Sequence, residues 1–372
     1  MNGRTIIVGA GPAGLAVAAM LGQRGIDYSL LERADSIGAA WRNRYDGLRL
    51  HTIRRFSGLP GAPIPRRFGR WIRRDDLVAY FEDYARQFQI EPELGVDVTR
   101  IERTDGGWRV ETSAGARVAE RVVLATGYTR TPYIPDWPGL GTFSGSFRHS
   151  VDYREPSAYA GRKVLVVGAG NSASEIAVEI SEVAAEVQLS VRTPPNIVRR
   201  ATLGVPSQLI AVALRRAPEW VMNPMSALLR RLTIPDLTAY GLPAPGRDGF
   251  SQYRRSRVIP ILDHGFVDAV RAGRITIVSA VQSFDGAEVR LEDGRTVRPD
   301  AVVAATGYRP DLAGILGDLK VLDESGGPRV HGAGTVEAAP GLYFVGINVE
   351  LSGQLLLISR EAEELSKRLA SA

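Results

Sequence analysis

Two glycine-rich stretches of the 372-residue chain have the residue types and spacing of dinucleotide-binding turns. In the first, Gly9, Gly11 and Gly14 form G-x-G-x-x-G after the apolar run TIIV and before the helical stretch LAVAAMLGQRG. The first glycine permits a tight turn, the second lets a pyrophosphate approach the backbone, and the third lets helix pack on strand. Glu32 ends the next apolar run, eighteen residues after Gly14, where a carboxylate accepts hydrogen bonds from a ribose 2′-OH. The stretch therefore predicts a dinucleotide with an unsubstituted ribose.

The second stretch repeats the pattern after the apolar run KVLVV, with Gly168, Gly170 and Ala173 in the three slots. Its following strand, VQLSVR, ends in Arg192 where the first pattern ended in Glu32. A guanidinium pairs with a ribose 2′-phosphate that a carboxylate would repel, so this site is predicted to bind NADPH. An exposed arginine at a strand end is the alternative interpretation of Arg192.

Two dinucleotides in one chain indicate that hydride passes from a nicotinamide to a flavin. Many such enzymes pass the electrons on to a cysteine pair, but the sequence contains no cysteine. This absence excludes a disulfide framework, a cysteine-ligated metal and a redox-active dithiol, and with them a disulfide reductase.

Each glycine turn begins a longer repeated pattern. A helical stretch and a strand are followed by hairpin-like segments with Asp-Gly turns, IERTDGGWRVET in the first copy and VQSFDGAEVRLEDGRTVRPD in the second. The copies close in RVVLATGY and AVVAATGY. We therefore expect an α/β fold in which a second dinucleotide-binding domain is inserted into the first.

Residues 201–249 have a different pattern, in which apolar residues at helical spacing alternate with arginine pairs. We interpret this stretch as a helical cover over a substrate cleft. A membrane-surface patch and plain structural packing are the alternatives.

Composition limits the class of protein and of partner. No apolar run approaches the ~20 residues of a membrane-spanning helix, and the sequence passes from Met1 almost directly into a strand-like run. We therefore expect a cytoplasmic protein with no integral membrane association. The net charge of +5 rests on scattered arginines, which favours a solvated basic face and phosphate-bearing cofactors over a nucleic-acid partner.

The segment FSGSFRHSVDY, Phe143 to Tyr153, resembles F-x-G-x-x-x-H-x-x-x-Y, the fingerprint of flavin-containing monooxygenases, and has Tyr where Baeyer-Villiger relatives have Trp. AAWRNRYDGLRLHT, GNSASE, both ATGY boxes, YGLPAP and GLYFVG extend the similarity over essentially the whole chain, in an order like that of the plant YUCCA-type branch. NVELSGQLLLIS departs from the plant pattern, as does most of residues 201–249. Both stretches are expected to face substrate, so the plant substrate is not expected to transfer.

The resemblance implies two doubly wound, Rossmann-like domains, with an FAD domain at 1–155 and 295–372 and an inserted NADPH domain at 156–294. It implies an NADPH-dependent enzyme that forms a C4a-(hydro)peroxyflavin from O2. One oxygen atom then enters a small organic substrate, at nitrogen or sulfur or at a ketone or keto-acid carbon.

The resemblance also assigns residues. Flavin contact falls on Gly9, Gly11, Gly14, Glu32, Trp41, Arg42 and Thr126, and NADPH contact on Gly168, Gly170, Asn171, Ser172 and Arg192. His51 stands where the plant branch also has histidine, and we predict a catalytic hydrogen bond from it beside the flavin; a satisfied, partly buried histidine is the alternative. Asn348, after GLYFVGI, is a second candidate for lining the site, although loop polarity explains it equally well.

Two other functions fit part of these observations. An NADPH:flavin electron-transfer reductase would return at once to oxidised flavin when its reduced form meets oxygen, whereas a monooxygenase would show a lasting adduct. A redox sensor or scaffold that binds FAD without turnover would show no steady NADPH consumption.

Overall fold

The computed structural model describes residues 5–214, 218–246, 249–256 and 258–371. The chain divides into two compact units, one of Met1–Asn43, Leu48–Thr131 and Tyr308–Ala372 and the other of Arg44–Gly47 and Pro132–Gly307. The main part of the second unit therefore begins before residue 155 and ends after residue 295, the boundaries expected from the sequence. The reason is that strands at 146–149 and 301–304 pair with each other inside the sheet of the second unit.

The strands, in chain order, are β1 (Thr5–Val8), β2 (Tyr28–Glu32), β3 (Arg49–Ile53), β4 (Trp71–Arg73), β5 (Glu93–Leu94), β6 (Val98–Thr104), β7 (Gly107–Thr112), β8 (Arg117–Ala119), β9 (Arg121–Leu124), β10 (Thr131–Pro132), β11 (Ser146–His149), β12 (Lys163–Val167), β13 (Glu186–Ser190), β14 (Ile197–Arg199), β15 (Ala201–Thr202), β16 (Val205–Pro206), β17 (Ile261–Asp263), β18 (Thr276–Val278), β19 (Val281–Asp285), β20 (Glu288–Leu291), β21 (Thr296–Val297), β22 (Ala301–Ala304), β23 (Tyr308–Arg309) and β24 (Leu342–Phe344).

The α-helices are α1 (Pro12–Gly22), α2 (Ala39–Arg42), α3 (Arg74–Gln87), α4 (Asn171–Ile180), α5 (Ser207–Leu214), α6 (Glu219–Thr233), α7 (Gly249–Ser256), α8 (Phe266–Arg271), α9 (Ala313–Leu316) and α10 (Gln354–Ala370). Short 3-10 helices lie at Arg54–Phe56, Arg66–Phe68, Leu140–Thr142, Pro156–Tyr159 and Thr238–Tyr240. Among the described residues, no helix is both long enough and apolar enough to cross a membrane.

The first unit is built on a five-stranded parallel sheet in the order β24-β9-β1-β2-β5. Successive side chains of a strand point to opposite faces. Ile7 accordingly packs into a core with residues of α1, α3 and α10, whereas Ile6 and Val8 pack against the antiparallel sheet β6-β7-β8. The fully buried Trp108 lies in this second core and donates its Nε1 hydrogen to the Pro340 carbonyl at 3.1 Å.

The second unit repeats the design with the parallel order β11-β22-β12-β13-β18. Leu165, Val167 and Val302 pack with the antiparallel sheet β19-β20-β21, including Phe284, while α4 contacts β12, β13 and α8. The α/β class, the parallel sheets and the hairpins at all three Asp-Gly turns are confirmed. In each unit the layer opposite the helices consists of antiparallel strands.

The stretch predicted as a helical cover begins with a small antiparallel hairpin, β15-β16, and continues into α5 and α6. Residues 215–217 and 247–248 of the predicted cover lie outside the described residues. Helix α6 exposes apolar side chains at Trp220, Leu228 and Leu232.

Candidate functional site

The first glycine turn connects β1 to α1, and its three glycines meet different surroundings. Gly9 has φ +106°, and a Cβ there would lie 2.8 Å from the Ala125 carbonyl oxygen. A Cβ at Gly14 would lie 1.8 Å from the carbonyl oxygen of Gly9. At Gly11, by contrast, a Cβ would meet nothing within 4 Å. The backbone at Gly11 thus borders open space at the start of α1, where helix amide groups attract phosphate.

Ala10 lies inside this turn, and its backbone hydrogen bonds connect the turn to Glu32 and to the start of α2. The Glu32 carboxylate accepts the Ala10 amide hydrogen at 2.7 Å and the Ala34 amide hydrogen at 2.9 Å, one on each oxygen. The Gly38 amide donates to the Ala10 carbonyl at 3.1 Å, which places the start of α2 beside the turn. Each Glu32 oxygen keeps a further lone pair, so the held carboxylate has the acceptor capacity that a ribose hydroxyl needs.

The two predicted contacts in α2 have protein partners of their own. The Trp41 ring meets Phe81 edge-on with centroids 6.4 Å apart, and it is partly buried against the core of the first unit. Arg42 forms an ion pair with Glu82 at 2.6 Å, with both side chains nearly half exposed. Arg42 is therefore held by a solvated pair, and both residues stay predicted flavin contacts.

Thr126 carries a buried hydroxyl whose Oγ1 has no hydrogen-bond partner among the described residues. Its Cα would lie 3.5 Å from a Cβ placed at Gly9, so Thr126 adjoins the first turn. A buried hydroxyl without a partner costs about 1–3 kcal/mol. This unmet donor fits a bound ligand at the turn.

Two side chains of α10 hold the loop after β24, and sequence reasoning missed both. Glu361 accepts the Gly346 amide hydrogen at 2.8 Å, and Gln354 donates to the Gly346 carbonyl at 2.9 Å. A Cβ at Gly346 would lie 2.7 Å from the Ala13 Cβ, so this loop also adjoins the first turn of α1. Burial raises the pKa of Glu361 to about 7. The available signal was a carboxylate on the apolar face of an amphipathic helix, three residues after Ile358.

The predicted catalytic residues both lie in the first unit. His51 is half-buried on β3, and Asn348 is half-buried two residues after Gly346. The Asn348 Oδ1 accepts the Val349 amide hydrogen at 2.9 Å, a local turn contact. The catalytic roles of His51 and Asn348 remain predictions.

The second glycine turn connects β12 to α4 and reproduces the geometry of the first. Gly168 has φ +140°, and a Cβ there would lie 2.4 Å from the Ala305 carbonyl oxygen. A Cβ at Gly170 would meet nothing within 4 Å. Ala173 occupies the third slot and is fully buried, and its Cβ lies on the side of Gly168, where it would be 3.4 Å from an added Cβ. This turn could hold a second pyrophosphate.

The strand register corrects one comparison made from the sequence. Val8 pairs with Leu31, and Val167 pairs with Ser190, so the counterpart of Glu32 is Val191 and not Arg192. Strand β13 ends at Ser190, two residues before Arg192, because the sheet register and not the apolar run sets its end. Arg192 lies one position beyond the counterpart and is exposed.

Asn171 and Ser172 begin α4. The Asn171 side chain donates to the Pro260 carbonyl at 3.1 Å and accepts the Leu262 amide hydrogen at 2.7 Å. Its carboxamide therefore anchors the chain at β17 and leaves the Asn171 backbone amide for the predicted NADPH contact. Ser172 is half-buried beside it.

His149 of the fingerprint segment holds two backbone groups of the second unit. The His149 Nε2 lies 3.1 Å from the Gly307 carbonyl, and its Nδ1 accepts the Val151 amide hydrogen at 3.1 Å. Burial lowers the pKa of this imidazole. The ring is therefore neutral with its proton on Nε2, an arrangement suited to bracing the backbone.

Comparison with known proteins gives one family. The family described as "Pyridine nucleotide-disulphide oxidoreductase" matches residues 6–205. "Probable indole-3-pyruvate monooxygenase YUCCA3" of Arabidopsis thaliana is 33% identical over 92% of this chain and 81% of its own length. "Indole-3-pyruvate monooxygenase YUCCA1" of Oryza sativa subsp. japonica is 34% identical over 92% of this chain and 86% of its own.

Solved structures agree on the fold. A flavin-containing monooxygenase from Stenotrophomonas maltophilia superposes with a TM-score of 0.74 at 24% identity, over 99% of this chain and 98% of that one. An oxidised steroid monooxygenase bound to NADP gives 0.76 at 18% identity, over 96% and 83% of the two chains. The relatives favour monooxygenase activity over the reductase alternative. The chain belongs to the flavin monooxygenase family, and it is an oxidoreductase that uses FAD, NADPH and O2 to oxygenate a small molecule.

Proposed function

We propose that the enzyme oxygenates an α-keto acid with an aromatic side chain, the chemical class to which indole-3-pyruvate belongs. The observation that carries this proposal is the group of relatives named indole-3-pyruvate monooxygenases, 32–34% identical over 92–98% of this chain. This similarity outweighs the two departures from the plant pattern, at NVELSGQLLLIS and in residues 201–249, that argued from the sequence against the plant substrate. The balanced reaction converts keto acid, O2, NADPH and a proton into the shortened carboxylic acid, CO2, water and NADP+.

In this proposal FAD binds at the first glycine turn. The open space at Gly11, the held carboxylate of Glu32 and the unpartnered hydroxyl of Thr126 support the assignment. Trp41 and Arg42 complete the proposed set, since Gly38 ties the start of α2 to Ala10. When bound, the flavin supplies hydride acceptance and oxygen activation, which side chains do not.

NADPH is assigned to the second turn. The open space at Gly170 supports a pyrophosphate there, with the backbone of Asn171 and Ser172 at the helix start. The exposed guanidinium of Arg192 is accessible to a 2′-phosphate, with which arginine forms paired hydrogen bonds. Because one unit carries the FAD set and the other the NADPH set, we propose that residues 156–294 lie within the NADPH-binding part of the chain.

His51 is the proposed catalytic donor, and Asn348 the proposed second polar residue. A neutral imidazole has one ring nitrogen that donates a hydrogen bond and one that accepts, and His51 carries this group half-buried on β3. We expect His51 to donate a hydrogen bond to the reacting oxygen. It should thus determine the fraction of consumed NADPH that yields oxygenated product.

Ion pairs support the absence of a nucleic-acid partner in this proposal. Six of the arginines are matched locally by acids, in the pairs Arg42–Glu82, Arg100–Glu102, Arg109–Glu111, Arg117–Glu93, Arg295–Asp293 and Arg298–Glu288. We further propose that the enzyme works in the cytoplasm, where NADPH is supplied. Fractionation of the source cells tests the location.

A substrate panel tests the proposed class. Indole-3-pyruvate and phenylpyruvate should each stimulate NADPH oxidation and release CO2 in equal amount, with one atom from 18O2 in the acid product. Indole-3-lactate, which has a hydroxyl in place of the ketone, is the matched control and should give no product. Product from a thioether or an amine, with none from either keto acid, would contradict the proposal.

A further inference from the structure

Helix α4, which follows the second glycine turn, carries two glutamates that bind buried tyrosines. The Tyr45 hydroxyl donates to Glu175 at 2.5 Å, and the Tyr153 hydroxyl donates to Glu179 at 2.8 Å. Tyr45 is 3% exposed and Tyr153 1%. The two glutamates are four residues apart, so they lie on one face of the helix, one turn apart.

Tyr45 belongs to a short segment, Arg44–Gly47, that is part of the second unit although the residues on either side belong to the first. The Asp46 amide donates to the Arg154 carbonyl at 2.8 Å, and Arg154 donates to the Arg44 carbonyl at 3.1 Å. The segment is thus fastened at several points.

Gly47 ends this segment directly against α4. A Cβ at Gly47 would lie 1.8 Å from a carboxylate oxygen of Glu179. Even alanine at position 47 therefore has to displace that carboxylate or the segment. The packing explains why this position suits glycine without a positive φ.

Three separate sequence motifs supply this cluster. Tyr45 comes from AAWRNRYDGLRLHT, Tyr153 ends the fingerprint FSGSFRHSVDY, and Glu175 ends GNSASE. Sequence reasoning gave none of the three a role. Tyr45 and Glu175 are 130 residues apart in the chain, so only the fold brings Tyr45 to α4.

The electrostatics keep both phenols as donors. Burial, followed by the neighbouring glutamate, raises the pKa of Tyr45 and of Tyr153. Burial also raises the pKa of Glu179. A buried, hydrogen-bonded polar network holds the groups that it joins in one arrangement. The cluster therefore fixes where Tyr45 and Tyr153 lie on α4.

We propose that Glu175 and Tyr45 are positioning residues for hydride transfer from NADPH to the flavin. This inference rests on the proposed assignment of NADPH to the second turn. The Tyr45–Glu175 bond fixes segment Arg44–Gly47 on the helix that begins at that turn. The same segment continues backwards into Arg42 and forwards into the strand of His51, so its displacement moves two proposed site residues. Displacements near 1 Å cost up to about a hundredfold in rate.

Anaerobic stopped-flow reduction of the holoenzyme by NADPH tests the proposal. In Tyr45→Phe, the rate constant at saturating NADPH should fall at least about tenfold. The Kd values for FAD and NADPH should stay within about threefold of wild type, because neither turn changes. Glu175→Gln keeps an oxygen that accepts from Tyr45 and should retain most of the wild-type rate.

Gly47→Ala provides a second variant, since its Cβ has to displace either the Glu179 carboxylate that holds Tyr153 or the segment itself, and it should also slow reduction. Tyr159→Phe is the matched control. Tyr159 is buried with its ring centroid 5.8 Å from that of Tyr153, and among the described residues its hydroxyl binds neither glutamate. Its rate constant should equal that of wild type.

A wild-type rate constant in Tyr45→Phe, or an equal loss in Tyr159→Phe, would overturn the inference. Loss of FAD affinity in parallel with the rate would also overturn it, because the role would then be structural. The measurement needs no oxygenation substrate, so failure of the keto-acid proposal leaves its outcome intact. A wild-type flavin that NADPH fails to reduce would contradict both the cofactor assignment and the inference.

Discussion

Replacing Gly11 by alanine should separate FAD binding from folding. Position 11 has φ −79°, which any residue adopts, and a Cβ there meets no atom within 4 Å. The free energy of unfolding of the apoprotein should therefore change by less than about 1 kcal/mol, the scale of an unstrained glycine replacement. The new methyl group, however, occupies the space through which a pyrophosphate reaches the backbone.

The magnitude follows from the hydrogen bonds at stake. A hydrogen bond to a charged group contributes about 1.5–3 kcal/mol, so losing one phosphate contact should raise the Kd for FAD about 10- to 150-fold. Gly14→Ala should act differently, since its Cβ would lie 1.8 Å from the Gly9 carbonyl oxygen, a backbone atom. That substitution should destabilise the apoprotein by about 2 kcal/mol or more.

Gly170→Ala is the matched control in the second turn. Position 170 has φ −104° and equally open surroundings, so its folding should be as little affected. It should raise the Kd for NADPH by the same factor and leave FAD binding unchanged. Fluorescence titration of apoprotein with FAD, with urea unfolding measured on the same samples, checks all three variants. Wild-type FAD affinity in Gly11→Ala, or equal loss of FAD in Gly170→Ala, would refute the reasoning.

Three further predictions concern single side chains. Arg192→Ala should raise the KM for NADPH at least about tenfold and leave the KM for NADH nearly unchanged; equal effects on both would contradict the 2′-phosphate contact. Burial raises the pKa of Glu361 from 4.5 to about 7, so its contribution to stability is fully present below pH 4.5 and is lost as pH rises through 7. Between these pH values the free energy of unfolding should therefore fall by on the order of 3 kcal/mol more in wild type than in Glu361→Gln. Urea unfolding over this pH range measures the difference, and parallel curves for the two proteins would refute the prediction. Trp108→Phe removes a fully buried ring and its bond to Pro340, and should lower the free energy of unfolding by about 2–4 kcal/mol; a change below about 1 kcal/mol would contradict that packing.

Local patterns were sufficient to predict the repeated elements. Each glycine turn, with the strand before it and the helix after it, depends on residues close together in the chain, as do the Asp-Gly hairpins. The strand ending at Glu32 was predicted correctly. The antiparallel layer on the second face of each sheet follows from the same hairpins, once the faces of Ile6 and Ile7 are known to differ.

Long-range contacts account for what the sequence did not reveal. The side chain of Asn171 is engaged by backbone groups about ninety residues away, so its role at the helix start could not be inferred from GNSASE. The end of β13 depends on its register with β12, which placed Arg192 one position beyond the counterpart of Glu32. The division at residue 131 depends on which sheet receives β11, and composition does not encode that choice.

The most direct test of the central claim is anaerobic addition of NADPH to the purified, FAD-reconstituted chain, followed by admission of O2. One FAD should bind per chain, NADPH should bleach its absorbance, and oxygen should restore it with turnover of a keto acid. A colourless protein that takes up no FAD, or a bound flavin that NADPH leaves oxidised, would contradict the account.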